Sequence, residues 1–162
     1  MPPLDALRGE LDEAISRSTG SPFRSTGQTG QGGGSISQSL VIEDGRQRFF
    51  VKLNSTALNG MFVAEADGLA ALRRCPTIRV PQVIAQGTAS GRSFLILEHL
   101  VLRPLHHRQA GSEAGRALAE LHRIEGAQYG WPSDNYIGSN PQSNAVHVTW
   151  PFFFAQRRLL PQ

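Results

Sequence analysis

The sequence predicts an α+β fold in which helices precede, separate and follow two β-hairpins, so that the sheet is expected to be antiparallel. Apolar residues recur at helical spacing in three stretches of the chain. Two pairs of β-like segments flank turns that contain glycine, Glu43-Asp44-Gly45 and Ala89-Ser90-Gly91. With 162 residues, the chain can bury roughly 68–70% of the surface that it exposes when unfolded, which is enough for a compact core.

The first helix is predicted by apolar residues at helical spacing: Leu4, Leu7, Leu11 and Ile15. The sequence Gly20-Ser21-Pro22 is expected to end this helix, because glycine and proline both interrupt helical structure. A glycine-rich segment from Gly27 to Ser35 follows. We interpret this segment as a loop that leads into the first hairpin.

The return strand of the first hairpin, Phe49–Leu53, carries Lys52 near its end. The second helix is expected to end before Pro76, and it presents one apolar face: Phe62, Ala66, Leu69 and Leu72. The second hairpin contains an unbroken apolar run from Phe94 to Leu97, as is typical of a buried strand.

The third helix is predicted to begin at Ser112, with Glu113 beside its positive end. Beyond Gly126, the Gly, Pro, Ser and Asn content of YGWPSDNYIGSNPQSN predicts a long loop. The last stretch, TWPFFFAQRRLLPQ, is typical of the start of another helix.

The composition, with 40% apolar and 18% charged residues, is that of an ordinary globular protein. No apolar run approaches the roughly 18 residues of a membrane span, and no secretory leader is recognised, so we expect a cytoplasmic protein without a membrane partner. The single cysteine, Cys75, excludes an intramolecular disulfide and a thiolate zinc cluster. The net charge is +3, but the arginines are scattered, so nucleic-acid binding is not expected.

The glycine segment, Lys52 and Glu65 on the second helix together favour a phosphate-binding site. Glycine lets backbone N–H groups approach a phosphate, and a lysine on a neighbouring strand adds a charge. One Lys–phosphate contact at about 4 Å is worth on the order of 4 kcal/mol at an effective dielectric near 20, so a carboxylate that positions the lysine matters. Taken singly, the glycine segment is more often a flexible turn, and Lys52 and Glu65 are more often solvated side chains. It is their order along the chain, with the right secondary structure around them, that favours the site.

Two common phosphate-binding motifs are absent from the sequence. The string G-x-G-x-x-G is not complete, since Gly30 and Gly32 fit but Ser35 occupies the sixth position. A Walker A loop is excluded, because no Gly-Lys-Ser/Thr occurs.

Taken together, these segments resemble the fructosamine kinases, also called ketosamine 3-kinases. The resemblance spans essentially the whole chain and is carried by GGGSIS, FFVKLN, MFVAEADGLAALR, VPQVIAQG, FLILEHL, LAELH, DNYIGSNPQSN and the terminal W..FFAQRRL..Q. It implies a protein-kinase-like fold. Residues 1–97 would form the nucleotide-binding N-lobe, an antiparallel sheet plus a helix, and residues 98–162 the hinge and the first helices of an incomplete C-lobe.

The resemblance also implies residue roles toward ATP. Lys52 would contact the α- and β-phosphates, Glu65 would pair with Lys52, and the backbone of Glu98 and Leu100 would face adenine. A glycine flap would cover the phosphates: Gly32, Gly33, Gly34 and Ser35. Some members of the family have a cysteine where this sequence has Ser35, so redox switching at that position is not expected here.

The activity implied is ATP-dependent phosphorylation of a sugar hydroxyl on a ketoamine formed by glycation, either a small amine or a glycated protein. The family's catalytic His-Gly-Asp loop and its Mg²⁺ ligands are expected beyond Gln162, and no His-Gly-Asp, His-Arg-Asp or Asp-Phe-Gly occurs in the 162 residues. Asp134 does not replace that loop, because Pro132 and Ser139 stand where a histidine and an asparagine are needed. The alternative function is therefore nucleotide binding without transfer.

Several other polar and aromatic residues are open to more than one interpretation. A histidine group could bind metal, although adjacent histidines do not easily share one tetrahedral ion: His106, His107 and His122. An aromatic group could stack on a sugar or pack in the core: Trp131, Tyr136 and Trp150. Three amides could bind substrate or fix the loop: Asn135, Gln142 and Asn144.

Overall fold

The computed structural model describes residues 4–31 and 36–161. The chain divides into two compact units, which are described separately below. The first unit comprises Met1–Ala71 and Val80–Leu102, and the second comprises Leu72–Arg79 and Arg103–Gln162. The predicted assignment of residues 1–97 and 98–162 to the two lobes of a kinase stays a prediction.

An antiparallel sheet of five strands, in the order β1-β2-β3-β5-β4, forms the centre of the first unit. This confirms the predicted antiparallel sheet with helices. The helices and strands have the following bounds: α1 Leu4–Thr19, β1 Gly27–Gln31, β2 Gln38–Glu43, β3 Arg48–Ser55, α2 Asn59–Leu72, β4 Val83–Ala89 and β5 Arg92–Glu98.

The two faces of the sheet are covered by different helices. Leu11 and Ile15 of α1 belong to one apolar cluster with the strand residues on the first face, including Val51 and Ile96. On the other face, Phe62 of α2 forms a second cluster, whose strand members include Phe50, Leu95 and Leu97. Because successive residues of a strand point to opposite faces, the central strands β3 and β5 are apolar on both sides, as the run Phe94–Leu97 predicts.

The glycine-rich segment corrects one prediction. Its first part is not a loop, because Gly27–Gln31 forms the edge strand β1, paired with β2 from Gly27 opposite Glu43 to Gln31 opposite Ser39. The ladder is made by backbone groups, and the side chains of β1 are largely exposed, so no apolar alternation marks this strand in the sequence. The rest of the predicted flap, Gly32–Ser35, lies outside the described residues.

The second hairpin turns where the sequence predicts it. Ser90 has φ 45° and Gly91 has φ 74°, and the flanking residues Ala89 and Arg92 are paired. Positive φ at both central residues is the geometry of a type I′ turn, which matches the twist of the joined strands. The hydroxyl and backbone N–H of Ser90 also donate hydrogen bonds to the carboxylate of Glu10 on α1, at 2.6 and 3.0 Å.

The second unit contains two helices and a small hairpin within the part of the chain that the structure describes. Their bounds are α3 Arg108–His122, β6 Asn135–Ile137, β7 Asn140–Gln142 and α4 Trp150–Phe154, the last continued by a π-helical turn over Ala155–Leu159. In residues 4–31 and 36–161, no helix has the length and apolar character to cross a membrane.

Two predictions for the second unit were wrong in detail. Helix α3 begins at Arg108 rather than Ser112, because extended His107 is its N-cap and the carbonyl of His107 accepts a hydrogen bond from the N–H of Gly111 at 3.1 Å. The predicted long loop contains the hairpin β6–β7 and an isolated bridge between Tyr129 and His147. Strands of three residues are too short to produce a visible alternation in the sequence.

Candidate functional site

Strand β3 places Lys52 on the α2 side of the sheet. Its neighbours Val51 and Leu53 are buried in the cluster that α1 covers. Side chains alternate along a strand, so Lys52 lies with Phe50 on the opposite face, toward α2. The backbone of Lys52 is fixed from both sides, since it is paired with Ser39 of β2 and Leu95 of β5.

Glu65 on α2 meets this lysine directly. The Nζ of Lys52 lies 2.5 Å from Oε2 of Glu65, and the two side chains are 25% and 32% exposed. The Lys52 Nζ also lies 5.9 Å from the ring centroid of Phe62. An ion pair with this exposure adds little to folding stability, about 1 kcal/mol or less. The ion pair instead fixes the position of the Lys52 ammonium group, part of which stays accessible to solvent.

Two more predicted residues lie at and after the end of β5. The backbone N–H of Glu98 donates to the carbonyl of Gln82 at 2.8 Å, and the Glu98 carboxylate accepts from the N–H of Gln82 at 3.2 Å. Leu100 follows in an irregular, partly buried position. The end of β5 is thus held in place by Gln82, while the predicted contacts of Glu98 and Leu100 with adenine stay a prediction.

The structure does not describe the four residues of the predicted flap. Gly32, Gly33, Gly34 and Ser35 lie outside the described residues, so their role also stays a prediction. The roles of Lys52 and Glu65 toward a nucleotide also stay predictions, although the contact between the two side chains is a feature of the structure.

Asp134 has a structural partner in the second unit. Its Oδ1 accepts a hydrogen bond from the backbone N–H of Asn144 at 2.7 Å. Asn144 is only 1% exposed, and its side chain is used at both ends: Nδ2 donates to the Ser133 carbonyl at 3.1 Å and Oδ1 accepts from Arg158 at 2.5 Å. Of the two interpretations of Asn144, these contacts favour the one in which it fixes the loop.

Arg158 is a residue that the sequence reasoning missed. Besides Asn144, its guanidinium donates to the carbonyl of Ser143 at 3.0 Å and lies over the ring of Phe153, 4.6 Å from the centroid. The only sequence signal was the terminal motif that contains it, since an arginine near a helix end is otherwise typical of a solvated surface.

Metal ligands do not converge in this structure. Among residues 4–31 and 36–161, no three His, Cys, Asp or Glu side chains lie close enough to hold one ion. The predicted histidine group shows the reason, since His106 and His107 are exposed at the start of α3 whereas His122 is at its end.

Comparison with known proteins gives a consistent result. The sequence model of the fructosamine kinase family matches residues 8–162. A probable ketoamine kinase of Synechocystis sp. is 43% identical over 150 residues, which cover 92% of this chain and 50% of that protein. A second, of Vibrio parahaemolyticus, is 41% identical over 128 residues, covering 78% and 44%. The chain thus spans about half the length of the curated relatives it matches.

Solved structures lead to the same fold. A protein from Haemophilus somnus 129PT described as a fructosamine-3-kinase superposes with a TM-score of 0.87 at 29% identity, over 96% of this chain and 52% of that chain. A second, from Thermobifida fusca YX-ER1, gives 0.78 at 30%, over 93% and 51%. A mutant aminoglycoside phosphotransferase in complex with AMP-PNP and hygromycin B gives 0.53 at 15%, over 90% and 48%, a likeness of fold alone.

The predicted resemblance is therefore confirmed at the level of family and fold. The antiparallel sheet with α2 is the arrangement expected of a kinase-like fold, and the structural neighbours have that fold. With its family model matched from residue 8 to residue 162, the chain belongs to the fructosamine kinase family.

Proposed function

We propose that this chain binds ATP through its first unit and serves the phosphorylation of a sugar hydroxyl on a ketoamine. The observation that carries the proposal is the ion pair of Lys52 and Glu65, at 2.5 Å and partly open to solvent, in a chain of the fructosamine kinase family. A partly accessible ammonium group, braced by a carboxylate, is suited to accept a phosphate oxygen without losing its position.

Each residue has a defined part in this proposal. Lys52 contacts the α- and β-phosphates, and Glu65 keeps its ammonium group from swinging into solvent. The flap consists of Gly32, Gly33, Gly34 and Ser35, and its proposed part is to cover the phosphates with its backbone. Backbone groups of Glu98 and Leu100, beyond the end of β5, contact adenine.

Magnesium and the catalytic base are not assigned within this chain. Mg²⁺ would neutralise the phosphate charge during transfer, and no group of three His, Cys, Asp or Glu side chains occurs among the described residues. A general base is needed to accept the proton of the attacking hydroxyl, and its loss costs about 10²–10⁴ in rate. Asp134 is already engaged by the N–H of Asn144.

The second candidate function is nucleotide binding without transfer. It is favoured by the engagement of Asp134, whose Oδ1 already accepts a hydrogen bond from the backbone N–H of Asn144. Two further statements stay predictions. The acceptor is a small ketoamine or a glycated protein, and the protein is cytoplasmic.

The proposed nucleotide site is tested by replacing the side chain of Lys52. We expect Lys52→Met to weaken ATP binding by at least about tenfold, because a phosphate loses a positioned charge; tenfold corresponds to about 1.4 kcal/mol. Isothermal titration calorimetry with ATP measures this. The matched control is Arg108→Met, which removes an exposed cation at the start of α3 and should change the affinity less than about twofold. Equal losses in the two variants would refute the assignment of Lys52.

Transfer is tested separately, with fructosyl-lysine as acceptor. We expect the 162-residue chain to release ADP far more slowly than the roughly 1–100 s⁻¹ of active kinases, because no base is assigned within it. A coupled ADP assay, with and without fructosyl-lysine, measures this rate. Turnover in the range of active kinases would rule out the second candidate and show that the chain contains a general base.

A further inference from the structure

A cavity of about 360 Å³ lies within the second unit. Its volume is within the roughly 300–1,000 Å³ that is usual for small-molecule sites. The segment Tyr129-Gly130-Trp131 forms one wall, and Asn135, Trp150 and Arg158 contribute others. Lys52 and Glu65 are not among its lining residues and belong to the first unit.

The walls of the cavity are fixed by the fold itself. Tyr129 and His147 exchange backbone hydrogen bonds of 3.0 and 2.8 Å, and the N–H of Trp131 donates to the carbonyl of Asn144 at 3.0 Å. At Gly130, with φ 139°, an added Cβ would lie 2.7 Å from the carbonyl oxygen of Asn144. The wall therefore fits only with glycine at this position, and its shape is set before any ligand arrives.

Aromatic rings provide much of the lining. The rings of Tyr129 and Trp150 are 5.8 Å apart at 57°, and Trp150 stacks on Phe154 at 5.2 Å. Trp150 is nevertheless 50% exposed and Tyr129 44%. Exposed aromatic faces held by other rings are suited to stack on the C–H face of a sugar ring.

Asn135 supplies the polar complement to these rings. Its Oδ1 is shielded from solvent and accepts no hydrogen bond from any residue that the structure describes. A shielded acceptor without a donor is costly, and a ligand hydroxyl would remove that cost. The amide of Asn144 differs, since its Nδ2 donates to Ser133 and its Oδ1 accepts from Arg158.

The charge of the lining narrows the class of ligand. No carboxylate lines the cavity, and the guanidinium of Arg158, beside the aromatic rings, is held by Asn144 and Ser143. The neutral ring and hydroxyls of a sugar gain both stacking and a hydrogen bond from this lining, and the guanidinium of Arg158 favours a pose in which the ring, rather than a charged amine, lies in the cavity. A sugar ring meets these requirements.

We propose that this cavity binds the sugar ring of a ketoamine, with Asn135 Oδ1 accepting a hydrogen bond from a sugar hydroxyl and Trp150 or Trp131 stacking on the ring. The identity of the sugar rests on the proposed function. Binding at this cavity does not require a nucleotide, so the two proposals can fail separately.

Tryptophan fluorescence gives a selective readout, because the chain has two tryptophans, Trp131 and Trp150, and both line the cavity. Titration of the 162-residue protein with fructosyl-lysine, without nucleotide, should give a saturable change in emission, and lysine alone should not. Asn135→Leu should weaken binding at least about tenfold. Asn135→Asp, which keeps an acceptor oxygen, should retain more of the binding than Asn135→Leu.

The matched control is Asn140→Leu, the same substitution at an exposed position of the same hairpin, with an expected change below about twofold. Circular dichroism checks that both leucine variants are folded. Equal weakening in folded Asn135→Leu and Asn140→Leu would overturn the proposal. The absence of a saturable change with fructosyl-lysine, while ATP bound normally, would also overturn it. Binding of fructosyl-lysine without binding of ATP would support the cavity proposal and refute the proposed nucleotide site.

Discussion

The two units position a cationic side chain in different ways. In the first unit, Lys52 lies on a strand whose neighbours are packed from both faces, and residues beside it such as Val51 and Leu95 are 0% exposed. In the second unit, Arg158 is held by the carbonyl of Ser143 and the amide of Asn144. The first arrangement depends on buried apolar surface, and the second on polar contacts with the backbone.

This difference extends through both units. Among the described residues of the second unit, the buried apolar side chains are Cys75 and Phe153, while Phe152 and Leu160 are 55% and 71% exposed. Burial of apolar surface is non-directional, so it tolerates small shifts; a hydrogen-bonded loop does not. We therefore expect the first unit to be sensitive to lost volume and the second to altered backbone geometry.

The largest expected effect is that of truncating a buried side chain in the first unit. Ile96 is 0% exposed and belongs to the cluster that α1 covers. Ile96→Ala should lower the free energy of unfolding by about 2–5 kcal/mol, because it removes buried methylene groups and leaves a void. Hydrogen exchange followed by mass spectrometry should locate the loss of protection in β2, β3 and β5.

The matched control is Leu102→Ala, which truncates an aliphatic side chain that is 83% exposed in the same unit. A surface change of this kind should stay within about 0.5 kcal/mol. Similar losses in the two variants would mean that the sheet does not depend on its buried face, and the contrast between the units would disappear.

A smaller effect, in the second unit, tests backbone geometry. Gly130→Ala should lower the free energy of unfolding of that unit by about 1–3 kcal/mol, the usual cost of backbone strain. The reason is twofold, since φ is 139° and the new Cβ would lie 2.7 Å from the Asn144 carbonyl oxygen. Hydrogen exchange at Tyr129 and His147, whose backbone groups form the adjacent bridge, measures this effect.

Gly115→Ala is the same substitution with the opposite expected sign. Gly115 lies within α3 and has no atom within 4 Å of an added Cβ. Alanine should therefore stabilise the helix by up to about 1 kcal/mol. If both alanines destabilised the second unit alike, the space around Gly130 would not be the cause.

The same contrast explains which parts of the fold could be predicted. Helix α1 follows from the sequence because its apolar residues recur at a regular period, and the strand Phe94–Leu97 follows because it is an unbroken apolar run. Strand β1 does not, since its pairing with β2 uses backbone groups that every sequence has. The pairing of Lys52 with Glu65 was implied by the family resemblance, and the structure contains that ion pair.

In the second unit, little could be predicted beyond the helices. The hydrogen bonds of Asn144 join residues that are ten to fourteen positions apart in irregular segments, where no period relates them. The free acceptor of Asn135 is equally invisible in the sequence, because Asn135 and Asn144 are chemically identical and differ only in their surroundings. Family resemblance identified the segment, and the structure shows that the two amides differ in their hydrogen bonds within the described residues.

The smallest expected effect concerns the turn between β2 and β3. In this turn the carboxylate of Asp44 accepts hydrogen bonds from backbone N–H groups, as the carboxylate of Asp134 does in the second unit. Asp44 Oδ1 accepts hydrogen bonds from the N–H groups of Gln47 at 2.7 Å and Arg46 at 2.8 Å. The bond from Gln47, followed by that from Arg46, lowers the pKa of Asp44 below its usual 3.8.

A depressed pKa means that the stabilising contribution of Asp44 is present above the unfolded pKa, about 3.8, and is lost as pH falls through the folded value. Asp44→Asn keeps an oxygen acceptor that does not ionise, so the wild type should be slightly more stable at pH 6 and should lose this advantage below about pH 4. The measurement is the difference in Tm between the two proteins from pH 6 to pH 2. A difference that stayed constant across this range would show that the turn gains nothing from the charge. The turn would then depend on the geometry of its hydrogen bonds alone.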